Sequence, residues 1–318
     1  MRLLFMGTPD FAVPSLAALE LGGHEVLGVV TQPDRPKGRG KKLSPPPVKV
    51  VAKAYGLDVY QPSDIRDPGF IKMLKTMDLD VIVVVAYGEF LPRTILDIPR
   101  EGCINVHASL LPEYRGAAPI HRAIINGERI TGVTTMYLAE GMDNGDIIDK
   151  VSTEIKEEDN VGILHDRLAE AGARLLLQTL ISIESGDMKR TAQDSSKATY
   201  APPLTRKDGL IDWGRQADEI FNLVRGLDPW PGAFTYLNSK ILKIWRVNKT
   251  EPDHLGDGES GSVLKSSDSE LLVKTGKGII GIEELQLQGL RRMKVSDFLR
   301  GRSVPPGTVL GKPIRKKE

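Results

Sequence analysis

Three side chains stand at alternate positions in "CINVHASLLP", residues 103–112: Asn105, His107 and Ser109. A fourth, Asp143, follows in "GMDNGD". Alternation along an extended strand places the first three on one face. A carboxamide, an imidazole and a carboxylate can do acyl-type chemistry without a nucleophilic side chain. Asn and His donate to an oxygen that becomes negative. Asp stabilises an imidazolium, or takes a proton from an attacking amine directly or through water. A hydrolytic serine is disfavoured, because "HASLL" is not the G-x-S-x-G elbow that exposes a nucleophilic hydroxyl. Zinc is disfavoured as well, since Asn, one His and one Asp form a poor ligand set, so no metal is expected. Each residue also has a structural reading. His107 can be a hydrogen-bonded core histidine, Asn105 can satisfy a strand end, and Asp143 can simply make its turn. Spacing alone leaves both readings open.

The elements around these residues must bring them together. The first half of the chain alternates strand and helix signals. "RLLFMG", "HEVLGVVTQ", "LDVYQP", "DVIVVVAYG", "GCINVHAS" and "GVTTMYLA" read as strands, with helical patterns between most of them. "DVIVVVAYG" is continuously apolar, as a parallel strand covered on both faces should be. The pattern predicts an α/β fold with a Rossmann-like, doubly wound, mostly parallel sheet. Ligands of such a sheet bind beyond the carboxyl ends of its strands. "NVHAS" ends one strand there and "GMDNGD" follows the next, so His107 and Asp143 are expected to meet. Asn160 reads as the N-cap of a long helix that closes at Gly186. "GTPDF" lacks the glycine spacing of a phosphate-binding loop, so Gly7 is assigned a tight turn, with Thr8 or Asp10 capping a helix.

Two segments break the rhythm. Residues 32–47, "QPDRPKGRGKKLSPPP", are rich in proline, glycine and cations and are expected to form a long exposed loop. Residues 191–209 are polar and proline-bearing and read as a linker. Beyond them, one helical pattern and several short strands with glycine turns suggest a small β-barrel. The expected organisation is a catalytic domain over 1–190, a linker over 191–209 and a C-terminal domain over 210–318.

The 318 residues suit about two domains on a prior of roughly 150 residues each. A net charge of +1 points to no global nucleic-acid field, although residues 207–318 carry a small positive excess. One cysteine, Cys103, excludes an intramolecular disulfide and suits a reducing compartment; in its strand it reads as a core residue. No apolar run is long enough to span a membrane, and "MRLLFMG" enters a strand without a secretory or transit segment. A cytoplasmic monomer with no membrane partner is expected.

"CINVHASLLPEYRGAAPI", with its N-x-H pair, S-L-L-P run and downstream "GMDNGD", resembles the signature of the formyltransferase family that uses 10-formyltetrahydrofolate. "FMGTPDFAVPSL", "VVTQPDRPKGRGKKL", "VVVAYGEFLP" and "IDWGRQADEIFNLVRGLDPWPGAF" are similar to the branch of that family that acts on an aminoacylated tRNA. The resemblance implies that Asn105, His107 and Asp143 are the catalytic set. It implies that Ser109, Leu110, Leu111 and Pro112 contact the folate co-substrate. Arg35, Lys37, Arg39, Lys41 and Lys42 would meet the acceptor stem, and an OB-like C-terminal domain would help hold the tRNA. The implied reaction moves a formyl group from 10-formyltetrahydrofolate to the α-amine of methionine on its initiator tRNA, for translation initiation. Two alternatives stand beside this reading: a formyltransferase acting on an amino-sugar nucleotide or other small amine, and a noncatalytic RNA-binding protein. The basic loop and second domain weigh against the first. The intact Asn/His/Asp set weighs against the second.

Overall fold

A computed structural model describes residues 1–37, 40, 42–250, 258–267 and 269–311. Its contacts divide into two compact units. One comprises Met1–Pro119, Ile130–Glu154 and His165–Ala201; the other comprises Ile120–Arg129, Ile155–Leu164 and Pro202–Glu318.

The first unit is built on a seven-stranded mixed sheet. Its strands are β1 (Arg2–Gly7), β2 (Glu25–Val30), β5 (Val59–Tyr60), β6 (Val81–Val85), β7 (Cys103–His107), β8 (Ile130–Tyr137) and β9 (Ile147–Glu154), in the order β5-β2-β1-β6-β7-β8-β9. From β5 to β7 all neighbours run parallel, while β8 and β9 pair antiparallel. The strand order turns back between β1 and β6, which is where such sheets open a crevice. Every residue of β6 is buried. Leu4, Met6, Ile82 and Val84 share a core with Leu74, Ile95 and Tyr87. Their alternate neighbours Leu3, Phe5, Val81 and Val83 are equally inaccessible. Burial on both faces is why these strands read as continuous apolar runs.

Helices α1 (Val13–Leu21), α2 (Pro47–Ala54), α3 (Pro68–Thr76), α4 (Arg93–Leu96), α5 (Pro119–Ile125) and α6 (Val161–Ser185) fall between and after the strands. The Asn160 side chain caps α6 by accepting from the Ile163 N–H at 3.0 Å, and Gly186 follows its end at φ +75°. The expected Thr8 or Asp10 cap of α1 is not formed. A 3-10 turn at Asp10–Ala12 precedes that helix, and neither flanking position makes a side-chain cap bond. The Thr8 hydroxyl donates instead to the Tyr87 carbonyl at 2.8 Å, joining the ends of β1 and β6.

Part of the expected long loop is ordered. β3 (Arg35–Lys37) and β4 (Lys42–Ser44) pair as an antiparallel hairpin, with Arg35 opposite Ser44 and Lys37 opposite Lys42. Its root is polar and well bonded. The Lys49 ammonium donates to Asp34 at 2.7 Å and to Gln61 at 2.6 Å, and Gln61 donates on to the Gln32 carbonyl at 2.8 Å. These bonds supply what proline and glycine content alone withheld from the sequence reading.

The second unit holds α7 (Ala217–Gly226), a six-stranded antiparallel sheet and α8 (Val295–Gly301). The strands are β10 (Ala233–Leu237), β11 (Lys240–Thr250), β12 (Val263–Ser266), β13 (Leu271–Lys274), β14 (Ile279–Leu287) and β15 (Met293–Lys294). They run β10-β11-β14-β13-β12, with β15 added on β14. This is the small OB-like β domain expected from the short strands; among the described residues no ladder joins β10 to β12 to close it. The buried Trp213 donates from its indole to Thr235 at 3.0 Å and pins the 210–213 segment to the sheet.

Candidate active site

β7 lies between a parallel and an antiparallel neighbour, with Asn105 in register with Val84 on β6 and Met136 on β8, and His107 with Thr134 on β8. Asn105 and His107 are 8% and 7% exposed, so both polar groups sit at a nearly dry strand end. Burying a polar group costs free energy unless it finds a partner.

His107 finds two. Its Nε2 lies 3.0 Å from the Tyr114 carbonyl oxygen, and its Nδ1 lies 3.6 Å from Asp143 Oδ2. A carbonyl can only accept, so Nε2 carries the proton and donates it. Nδ1 is then the ring nitrogen turned to the carboxylate. At 3.6 Å the pair is just too long for a direct hydrogen bond. The same Asp143 oxygen, Oδ2, accepts the Gly116 N–H at 2.8 Å. The expected meeting of His107 with Asp143 is therefore present. Among the described residues the Asn105 carboxamide has no hydrogen-bond partner, and its donors remain available to a ligand.

The segment after β7 is folded back tightly. The Ser109 hydroxyl donates to the Glu113 carbonyl at 2.6 Å. Thr134 donates to the Ser109 carbonyl at 2.7 Å and accepts from the Leu111 N–H at 3.1 Å. The Lys150 ammonium donates to the Leu111 carbonyl. Leu111 is fully buried in a cluster with Met136 and Ile147. Of the four residues expected at a folate pocket, Ser109 and Leu111 thus have their side chains taken up by the fold, while Leu110 and Pro112 stay partly exposed.

In the hairpin, Arg35 and Lys42 are exposed, and one Arg35 nitrogen donates to Gln32 at 3.0 Å. Arg39 and Lys41 lie outside the described residues, as does the side chain of Lys37. In the second unit the Lys243 ammonium and Arg292 guanidinium sit 4.9 and 5.0 Å from the Trp245 ring centroid. Arg292 also meets Glu284 at 2.7 Å and Asp228 at 3.3 Å.

Four residues at the site escaped sequence reasoning in this role. Tyr114 and Gly116 hold His107 and Asp143, and Arg115 and Gln193 support the Asp143 loop. Gly116 carried only the signal of being a glycine, in "EYRG", and the structure gives the reason. It sits at φ +115°, and a Cβ there would lie 2.9 Å from the Ala201 carbonyl and 3.3 Å from the Met142 sulfur, so only glycine fits. Gln193 had none, because it comes 50 positions after Asp143. Among the described residues no cluster of three or more His, Cys, Asp or Glu could hold a metal, and no helix is long and apolar enough to cross a membrane.

Known proteins resemble this chain over nearly its whole length. The family model described as "Formyl transferase" matches residues 1–180, and "Formyl transferase, C-terminal domain" matches residues 203–303. The methionyl-tRNA formyltransferase of Pelotomaculum thermopropionicum is 54% identical over 311 residues, covering 98% of this chain and 99% of its own. That of Desulforamulus reducens is 54% identical over 312 residues, covering 98% of each. The solved N-formyltransferase of Helicobacter canadensis, in complex with folinic acid and dTDP-3-aminofucose, superposes with a TM-score of 0.65. It is 17% identical and covers 92% of this chain and 100% of its own, a likeness of fold. With one model spanning more than half its length, and half-identical relatives matching nearly all of it, the chain belongs to the formyl transferase family.

Proposed function

We propose that this protein transfers the formyl group of 10-formyltetrahydrofolate to the α-amino group of methionine on initiator tRNA, in the cytoplasm and as a monomer. The observation that carries the chemistry is the pairing of buried His107 with partly buried Asp143, beside a carboxamide on the same strand as His107 that has no hydrogen-bond partner among the described residues. The near-full-length identity to methionyl-tRNA formyltransferases supports the choice of acceptor.

In this reading the amine attacks the formyl carbon and its oxygen becomes an oxyanion. Asn105 donates to that oxygen from its amide. His107, when protonated on both nitrogens, donates from Nδ1, with the Asp143 carboxylate alongside to balance the charge. Each such donor is worth on the order of 10²- to 10³-fold in rate. The ammonium nitrogen of the intermediate loses a proton toward Asp143, directly or through water. Collapse breaks the carbon–N10 bond, and N10 takes up a proton as folate leaves. The tie to the Tyr114 carbonyl keeps the imidazole from turning away during these steps.

The folate co-substrate is assigned to the 109–112 segment. The Ser109 and Leu111 side chains brace that segment, so Leu110, Pro112 and free backbone groups make the contacts. Arg35, Lys37, Arg39, Lys41 and Lys42 are assigned to the acceptor end of the tRNA. We divide the chain into a catalytic domain over 1–190, a connecting segment over 191–209 and a tRNA-holding domain over 210–318. The test is formyl transfer from 10-formyltetrahydrofolate to Met-tRNA, with free methionine, an amino-sugar nucleotide and hydrolysis of the formylfolate as controls. Transfer to Met-tRNA alone supports the reading. Transfer to the sugar alone, or to no acceptor, overturns it.

A further inference from the structure

Asp143 occupies a demanding position. It stands at φ +48°, in the left-handed region that a non-glycine residue enters at a cost, on the loop between β8 and β9. Its neighbours Glu140, Gly141 and Met142 are exposed. Such a loop needs external bonds to hold one carboxylate in place.

Gln193 supplies them. Its amide nitrogen donates to the Asp143 carbonyl at 2.8 Å and to the Gly145 carbonyl at 2.7 Å. Its amide oxygen accepts from Arg115 Nε at 3.1 Å and from an Arg115 terminal nitrogen at 2.7 Å. The guanidinium can only donate, so the amide cannot flip, and its N–H groups must face the loop. Arg115 is 4% exposed, and among the described residues it makes no ion pair with a carboxylate. Its charge therefore falls on the amide oxygen, which sharpens the N–H donors on the other side. The next residue, Gly116, grips the Asp143 carboxylate, and the preceding carbonyl, of Tyr114, grips His107. This turn is anchored in its own right. Arg115 exchanges backbone bonds with Thr199 at 2.9 Å and Ala201 at 2.7 Å, and the Tyr114 N–H donates to the Thr199 hydroxyl at 2.8 Å.

We infer that Gln193, backed by Arg115, is a positioning residue for Asp143, and that the 193–201 segment is a working part of the active site rather than a passive connector. The inference rests on the proposed formyl transfer. Gln193 touches no reacting atom. It holds the backbone that aims the carboxylate at His107.

Two variants test it. Gln193→Ala removes both halves of the bridge. Gln193→Glu keeps an acceptor for Arg115, adding charge to that contact, but replaces the N–H donors with an oxygen that repels the two loop carbonyls. Steady-state kinetics with Met-tRNA and 10-formyltetrahydrofolate, melting curves and a pH–rate profile are recorded for each. Both variants are expected to lose about 10- to 100-fold in kcat, with either KM changed less than about 3-fold, as misplacement of a reacting group does. Gln193→Glu is expected to melt near the wild type yet share the kinetic loss, with its pH–rate profile displaced. Wild-type kcat in Gln193→Glu overturns the inference, since Gln193 would then serve only to satisfy Arg115. A loss that merely tracks the folded fraction overturns it too. Absence of transfer by the unmodified protein instead condemns the proposed function, so the two failures are distinct.

Discussion

His107 and Asp143 face each other at 3.6 Å across the end of β7, and one short turn holds both, the Tyr114 carbonyl accepting from the imidazole and the Gly116 N–H donating to the same Asp143 oxygen that faces His107. A shared frame fixes their separation more firmly than two independent anchors would, because movement of the turn carries both groups together. The arrangement suits a step in which charge develops between them and must be met without rearrangement.

Removing either member should lower turnover more than binding. His107→Ala, Asp143→Asn and Asn105→Ala are expected to cost about 10²- to 10³-fold in kcat, with modest changes in KM for tRNA and folate. Steady-state kinetics on protein shown to be folded checks this. Near-wild-type kcat in any one of them removes that residue from the mechanism.

The hairpin root should respond to acid. The hydrogen bond from the Lys49 ammonium, aided by Gln61, holds the Asp34 carboxyl below the usual carboxylate range. A carboxyl depressed on folding contributes stability that is complete above its unfolded pKa. The contribution fades as pH falls through the folded value. Wild-type amides of β3 and β4 should therefore keep their hydrogen-exchange protection at neutral pH and lose part of it only below the ordinary carboxylate range. Lys49→Met should lose it already at neutral pH. Equal protection in the two proteins at neutral pH would show that the ion pair does not hold the hairpin.

Cys103 should be inert in the folded protein. Burial in the apolar core pushes its thiol up to about 12, and its sulfur lies 4.0 and 3.8 Å from the Ile95 and Leu96 carbonyls. The thiolate, which is the reactive form, is then scarce at neutral pH. A thiol-specific reagent should leave the native protein unmodified and titrate one thiol after denaturation. Rapid native labelling would contradict the burial.

The cations of the two units should contribute differently to tRNA binding. In the second unit Arg292 is engaged by Glu284 and Asp228, and Lys243 lies over the Trp245 ring, so the exposed Arg291 and Lys294 are the better candidates for phosphate contacts. Substituting those two should weaken initiator and elongator tRNA alike and flatten the salt dependence of binding by about one unit per lost contact. Arg39→Ala should cut kcat/KM for the initiator most, because a guanidinium can bond two acceptors or stack on a base. Measurements with both tRNAs over a salt series separate these outcomes. Equal, purely salt-dependent losses from Arg39→Ala would reduce the hairpin to an electrostatic tether.

Local pattern by itself determined the parallel part of the sheet, though not the added edge strand β9. Continuous apolar runs in β1 and β6 can be buried only on both faces, and Asn160 and Gly186 mark the ends of α6 through chemistry contained within a few residues. The row from Asn105 to Ser109 was likewise legible, because period-two alternation is a property of the strand. That property did not decide what each side chain does. Ser109 and Leu111 looked like ligand contacts, yet Ser109 closes on the Glu113 carbonyl and Leu111 packs against Met136 and Ile147. The antiparallel direction of β8, the order in the basic hairpin and the reach of Gln193 to the Asp143 loop depend on residues far apart in the chain. Residues 191–201 show why. They belong to the polar, proline-bearing stretch 191–209 that reads as a linker, since no period marks a segment whose bonds go to distant backbone groups. Only the folded chain brings Thr191 to Ile147 and Ala201 to Arg115, and with them Gln193 to the one loop that must be held still.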